Sequence, residues 1–144
     1  ELHVGHITLE DAKKYTDVIL RAKEFLKERK ITTSLNPWCT LAHYDGGRKL
    51  KENQKFRNMV GANGVKAELV VCPLCEDWRK YYVELLLFYV ETLEPSVLWF
   101  EDDLRLANHM PVSNGCFCDE HMRLFNKAAG TSYDRETFVS KIFI

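Results

Sequence analysis

The chain predicts four helices, and in two of them apolar residues recur at a spacing of three and four positions. Thr8 can cap the first helix, whose apolar positions are Leu9, Ala12, Tyr15, Ile19, Ala22 and Leu26. A second helix over 76–93 carries an apolar stripe of Trp78, Tyr82, Leu85, Leu86, Tyr89 and Leu93. A third, over about 119–129, ends at Gly130, and a fourth begins near Ser132 or Asp134.

Three further stretches predict strands: "ITTSLNPW", "KAELVVCP" and "SVLWF". The last is apolar at every position from Val97, as expected of a strand that is covered on both faces. The region 37–64 is rich in glycine and is either functional or contains a short helix near 49–59. Because helices alternate with strands, the pattern predicts an α/β fold built of parallel βα units.

Composition narrows the class of protein. The chain has 144 residues, of which 46% are hydrophobic, so it can bury the core of one globular domain. Its net charge is −1 and its basic residues form no stripe, which predicts no nucleic-acid partner. Its apolar runs are too short to span a membrane. Five cysteines, an odd number, favour a reduced, cytoplasmic protein over a disulfide framework.

Three strands make a poor parallel sheet, and the last helix has no stop signal. A complete (β/α)8 barrel takes about 250 residues. We therefore expect residues 1–144 to be one fragment of a larger domain, truncated at both ends. Alternatively, a small sheet is completed by a second copy of the chain, which makes the partner either the rest of the domain or a homo-oligomer.

The predicted strands end in polar residues, and in parallel folds such ends form the functional edge. Neighbouring carboxylates at the third strand raise each other's pKa, so one of them can serve as a general acid; the alternative is that they cap loops or pair with Arg105. Trp38 can stack on a sugar or pack in the core, and His43 and His109 lie in predicted loops that could orient a substrate. The candidates are Glu101, Asp102, Asp103, Asn36, Trp38, His43, Arg105, Asn108 and His109.

Cys116, Cys118 and His121 place two thiols and an imidazole within six residues. Zinc commonly takes four such ligands, and the fourth could be Cys72 or Cys75. A filled set of four would be structural, because catalysis needs an open position. The alternative is that the cysteines are small buried apolar residues and that His121 lies on a helix surface.

Three segments, "CPLCEDWRKYY", "VLWFEDDLRL" and "GCFCDEHMRLF", together resemble the middle of clan A glycoside hydrolases, in particular the family 42 β-galactosidase type. The resemblance covers roughly residues 66–130. It implies a (β/α)8 TIM barrel of which strands two to four are present. It also implies a structural zinc site formed by Cys72, Cys116, Cys118 and His121, with Cys75 as a spare thiol.

The same resemblance puts the acid/base residue on Asp103 and the neighbouring asparagine on Asp102. The chain departs from the family at both positions, since the family has glutamate and asparagine there, and it has His121 for a third cysteine. We therefore expect part of a glycoside hydrolase acting on a carbohydrate, with Asp102 and Glu101 in sugar-binding or electrostatic roles. The second carboxylate that hydrolysis needs would lie beyond residue 144, so the fragment alone would be inactive.

Three other functions stay open at this point. The first is a carbohydrate-binding module without chemistry, and the second is a structural or assembly domain stabilised by its metal. The third is a lyase that binds magnesium or manganese through the three carboxylates.

Overall fold

The computed structural model describes residues 8–37, 40–42, 54–100 and 104–142. Its helices are α1 Leu9–Lys27, α2 Glu76–Leu93, α3 Asp119–Ala129 and α4 Arg135–Ile142. Its strands are β1 Ser34–Leu35, β2 Asn58–Val60, β3 Lys66–Val71, β4 Val97–Leu98, β5 Ala107–His109 and β6 Val112–Asn114. The four predicted helices are confirmed, and each of the three predicted strands contains an observed one.

The helix ends follow the predicted signals. The Thr8 hydroxyl oxygen accepts the Asp11 amide at 3.1 Å, which caps α1. Gly130 has a φ of 64°, a conformation that glycine adopts without strain, and it ends α3. At the end of α2, Lys23 Nζ donates to the Leu93 carbonyl at 2.6 Å. This bond satisfies a carbonyl group that has no partner within its own helix.

The sheets overturn the predicted fold. The described strands form three sheets of two strands each. Only β1 and β4 are parallel, with Ser34 opposite Val97, whereas β2–β3 and β5–β6 are antiparallel. The predicted (β/α)8 barrel with its run of parallel βα units is therefore wrong, because the pairing partner of β3 is β2 and not β1 or β4. The described chain is a small mixed α/β structure with four helices.

Three local predictions are corrected as well. Residues 54–57 are irregular and β2 follows them, so the described part of the predicted helix near 49–59 is not helical. His109 belongs to β5 in a hairpin, not to a loop, and Asn108 lies on the same strand. The third predicted strand is regular only over Val97–Leu98, and it is not covered on both faces. Val97 and Trp99 are 48% and 56% exposed, because the described residues supply no layer over them.

The core combines α2 with the hairpin of β2 and β3. Of the predicted α2 stripe, Leu86 is partly buried against the core and the others are buried: Trp78, Tyr82, Leu85, Tyr89 and Leu93. The rings of Trp78 and Tyr82 stack with centroids 5.2 Å apart. On α1, Ala12 is buried and Ile19 packs against the core, but Tyr15 is exposed. Cysteines from two connections also belong to this core, so they are buried together with it.

Candidate metal centre

Two connections place the predicted metal ligands beside the β2–β3 hairpin. Cys72 comes directly after β3, whereas Cys116 and Cys118 lie between β6 and α3. His121 is in the first turn of α3. One ligand atom from each of these four residues lies within 4.8 Å of all the others. The structure therefore brings together ligands that are far apart in the sequence.

The separations match the edges of a small tetrahedron. Cys72 Sγ is 3.6 Å from Cys118 Sγ and 3.5 Å from His121 Nδ1. Cys118 Sγ is 3.3 Å from the same ring nitrogen. In a tetrahedral zinc site with bonds of about 2.3 Å to sulfur and 2.0 Å to nitrogen, the edges measure roughly 3.5–3.8 Å. The cluster thus has the dimensions of a four-coordinate metal site.

The cluster is shielded from solvent and its thiols are free. Cys72, Cys116 and Cys118 are 0%, 7% and 3% exposed, and none of them forms a disulfide. His121 is half-buried. A group of three buried thiols and one half-buried imidazole could hold a metal ion.

Backbone amides orient the sulfur atoms. The Leu74 amide donates to Cys72 Sγ at 3.4 Å, and the Val60 amide donates to Cys116 Sγ at 3.5 Å. The Phe117 amide returns a bond of 2.7 Å to the Val60 carbonyl, so the 116–118 segment is fixed along β2. Hydrogen bonds to sulfur favour the thiolate, which is the form that binds metals.

Contact between two thiols drives their acidities apart. The neighbouring Cys72 thiol and, to a smaller extent, the His121 imidazole lower the pKa of Cys116 to about 3. The Cys116 thiol, together with burial, raises the pKa of Cys72 above its ordinary value. Metal ions bind cysteine in its deprotonated form, so a metal ion that binds this cluster would displace the proton of Cys72.

Arg57 is a residue of this site that the sequence did not reveal. Burial disfavours its charge, but the sulfur atoms of Cys118 and Cys72 outweigh that effect and raise the pKa of Arg57. Its guanidinium donates to the Leu74 carbonyl at 2.7 Å, which holds it beside the Cys72 turn. Arg57 precedes β2 in a region without periodicity, where no signal distinguished it from other surface arginines.

Cys75 lies in the same turn as Cys72 but outside the group of four. Its amide donates to the Cys72 carbonyl at 2.9 Å, and its sulfur accepts the Arg57 amide at 3.2 Å. Cys75 is the N-cap residue of α2 and is buried. Its sulfur thus has a role in the packing of the turn that is separate from the metal ligands.

Of the predicted catalytic and sugar-binding residues, the structure describes four: Asn36, Arg105, Asn108 and His109. Trp38, His43, Glu101, Asp102 and Asp103 lie outside the described residues, so their roles stay predictions. Asn36 and Arg105 are exposed, after β1 and before β5 respectively, and Asn108 lies on β5. His109 on the same strand is 1% exposed, and its Nε2 lies 2.7 Å from the Arg105 carbonyl oxygen. A histidine so enclosed is placed to support the hairpin.

Comparisons with protein-family models, with curated proteins and with solved structures find no match. The resemblance to glycoside hydrolases thus stays a prediction that rests on the sequence motifs. Within the described part of the chain, every helix is too short or too polar to cross a membrane.

Proposed function

We propose that this chain is a small α/β domain whose fold is stabilised by a structural zinc ion. The ligands are Cys72, Cys116, Cys118 and His121. The observation that carries the proposal is the convergence of their four ligand atoms within 4.8 Å of one another.

The chemistry of the ligands favours zinc over other cations. Thiolate and imidazole are soft or intermediate ligands, and three sulfur atoms with one nitrogen form a common structural zinc set. Magnesium and calcium prefer oxygen ligands, and the group of four offers none. Four protein ligands fill a tetrahedral site, so the ion would have no open position at which to bind a substrate.

The position of the cluster explains what such an ion would do. Cys72 holds the end of the β2–β3 hairpin, and Cys118 and His121 hold the start of α3. The end of β3 and the start of α3 are far apart in the sequence, so an ion bound by both would cross-link them. Zinc binding then contributes directly to the free energy of folding.

Metal analysis of the purified chain tests the proposal. We expect one zinc ion per chain by elemental analysis after growth with zinc. Replacement by Co²⁺ should give the visible absorption of tetrahedral cobalt together with sulfur-to-cobalt charge transfer in the near ultraviolet. A strong chelator should lower the thermal midpoint of unfolding measured by circular dichroism, and added zinc should restore it.

Two results would contradict the proposal. One is a chain that folds fully but contains less than about a tenth of an equivalent of zinc after growth with the metal. The other is octahedral cobalt, which would mean that thiolates do not form the site.

A further inference from the structure

A cleft of about 520 Å³ lies next to the sulfur cluster. It is lined by residues of the β2–β3 hairpin and of the segment before it, together with Asp119 at the start of α3 and Arg135 at the start of α4. Cys118 lies on its wall, so the cleft and the metal ligands share a boundary. Its volume is within the range of about 300–1,000 Å³ that is usual for sites of small molecules.

The cleft carries an excess of positive charge. Arg57, Lys66 and Arg135 line it, whereas Asp119 is the one carboxylate among its described lining residues. Neither Lys66 nor Arg135 forms an ion pair with a carboxylate in the described part of the chain. Unpaired cations around a concave surface attract anions, and a guanidinium matches the geometry of a phosphate group especially well.

The guanidinium of Arg135 lies directly against the backbone at Gly64. A Cβ atom at Gly64 would lie 3.0 Å from Nη2 of Arg135, a tight contact that would require the guanidinium to shift by a few tenths of an ångström. Gly64 also has a φ of 81°, which L-residues rarely adopt. The hairpin turn therefore brings the backbone against the guanidinium, and α4 is connected to the cleft through this contact.

One part of the lining is apolar. Phe56 and Val60 also line the cleft, and the ring of Phe56 is fixed by a tilted contact with Tyr81, at a centroid distance of 5.3 Å. Free inorganic phosphate has no apolar portion that could contact this surface. A small molecule with an apolar portion would contact it.

We propose that this cleft binds a small organic phosphate. Arg57, Lys66 and Arg135 contact the phosphate group, and Phe56 and Val60 contact the apolar portion of the ligand. This inference goes beyond the zinc proposal, because none of these five residues is a metal ligand.

Titration calorimetry with the full chain tests the assignment, with ADP, pyrophosphate and adenosine as probes. ADP should bind more tightly than pyrophosphate, and adenosine should give no measurable heat. Lys66→Gln and Arg135→Gln should each weaken ADP binding about tenfold, the effect of losing one hydrogen bond to a charged group. Lys80→Gln and Arg21→Gln are the matched controls, since both residues lie on helices away from the cleft, and each should change the affinity less than about twofold.

Several results would overturn the proposal. One is the absence of ADP binding at millimolar concentration, and another is an equal loss of affinity in the control variants. Equal affinity for pyrophosphate and ADP would disprove the apolar contact. A short single-stranded DNA that binds more tightly than ADP through the same residues would replace the small ligand with a nucleic acid. Zinc content measured on each sample separates these outcomes from a failure of the metal proposal.

Discussion

The Sγ atoms of Cys72 and Cys118 lie 3.6 Å apart, although 46 positions separate the two residues in the chain. Among the described strands, β3 pairs with β2 and β5 pairs with β6, so no sheet contains both regions, and hydrogen bonds between Val60 and the 116–118 segment join them. A metal ion between the two sulfur atoms would close a long loop, and cross-links that close long loops restrict the unfolded chain most. The stability of this small structure should therefore depend on the cluster more than on any single sheet.

Substitution of one ligand should separate the cluster from the spare thiol. We expect Cys118→Ser to lose the zinc ion and to reduce the free energy of unfolding by several kcal/mol, since zinc binding is part of the folding free energy. Cys75→Ser is the matched control, because it alters a buried thiol in the turn of Cys72 that is not one of the four ligands. It should keep one zinc ion per chain and lose less than about 1.5 kcal/mol. Elemental analysis and urea denaturation check both expectations.

Equal behaviour of the two variants would contradict the ligand assignment. If Cys75→Ser loses the zinc ion and Cys72→Ser keeps it, the fourth ligand is Cys75 and not Cys72. Spacing alone allows both ligands, so this comparison decides between them.

Arg57 should tune the affinity of the cluster for its metal. Zinc with three thiolates has a net charge of −1, and the guanidinium beside the Cys72 turn offsets it. Loss of such an outer partner typically lowers metal affinity about 10–100-fold. We expect this loss in Arg57→Gln, measured by competition with a zinc chelator, with an unchanged cobalt spectrum. Arg79→Gln is the control, because Arg79 also donates to a carbonyl of this turn, that of Pro73 at 2.6 Å.

A changed cobalt spectrum in Arg57→Gln would mean that Arg57 holds the ligand geometry instead of the charge balance. An unchanged zinc affinity would remove Arg57 from the site.

Signals that lie close together in the sequence predicted the structure well. Thr8 and Gly130 mark helix ends because capping depends on a few neighbouring residues, and both are observed where they were expected. Strand pairing could not be predicted in the same way. The apolar run of β3 is compatible with a parallel or an antiparallel neighbour, and β2 has only three residues, too few for an alternating pattern. The barrel prediction failed at this step.

In the metal centre, too, neighbouring residues could be predicted from the sequence and distant ones could not. Cys116, Cys118 and His121 lie in one short segment, and their spacing alone indicated a ligand set. The choice between Cys72 and Cys75 depends on the geometry of a turn, and the position of Arg57 depends on β2. Neither could be derived from the spacing of residues.

Asn126 should be a strong contributor to the connection between α3 and α4. Its Nδ2 donates to the Tyr133 carbonyl at 2.8 Å, and its Oδ1 accepts the Tyr133 amide and the Thr131 hydroxyl. Replacement by alanine leaves these groups of a half-buried loop without partners. We expect Asn126→Ala to lower the free energy of unfolding by about 1–3 kcal/mol in urea denaturation.

Ser132→Ala changes an exposed side chain of the same loop, and it should alter the stability by less than about 0.5 kcal/mol. An Asn126→Ala variant as stable as Ser132→Ala would show that the loop bonds are not important for the fold.

The N-cap of α4 should make part of the stability dependent on pH. Asp134 Oδ1 accepts the Thr137 amide at 2.8 Å, and this bond to the backbone lowers the pKa of Asp134. A carboxyl with a lower pKa in the folded state stabilises the fold above its unfolded pKa of about 4. That contribution is lost as the pH falls through the folded pKa. The wild type should therefore be more stable than Asp134→Ala at pH 6, and the difference should shrink toward pH 3. A difference for Asp134→Ala that stays constant or grows on acidification would disprove the capping role of the carboxylate.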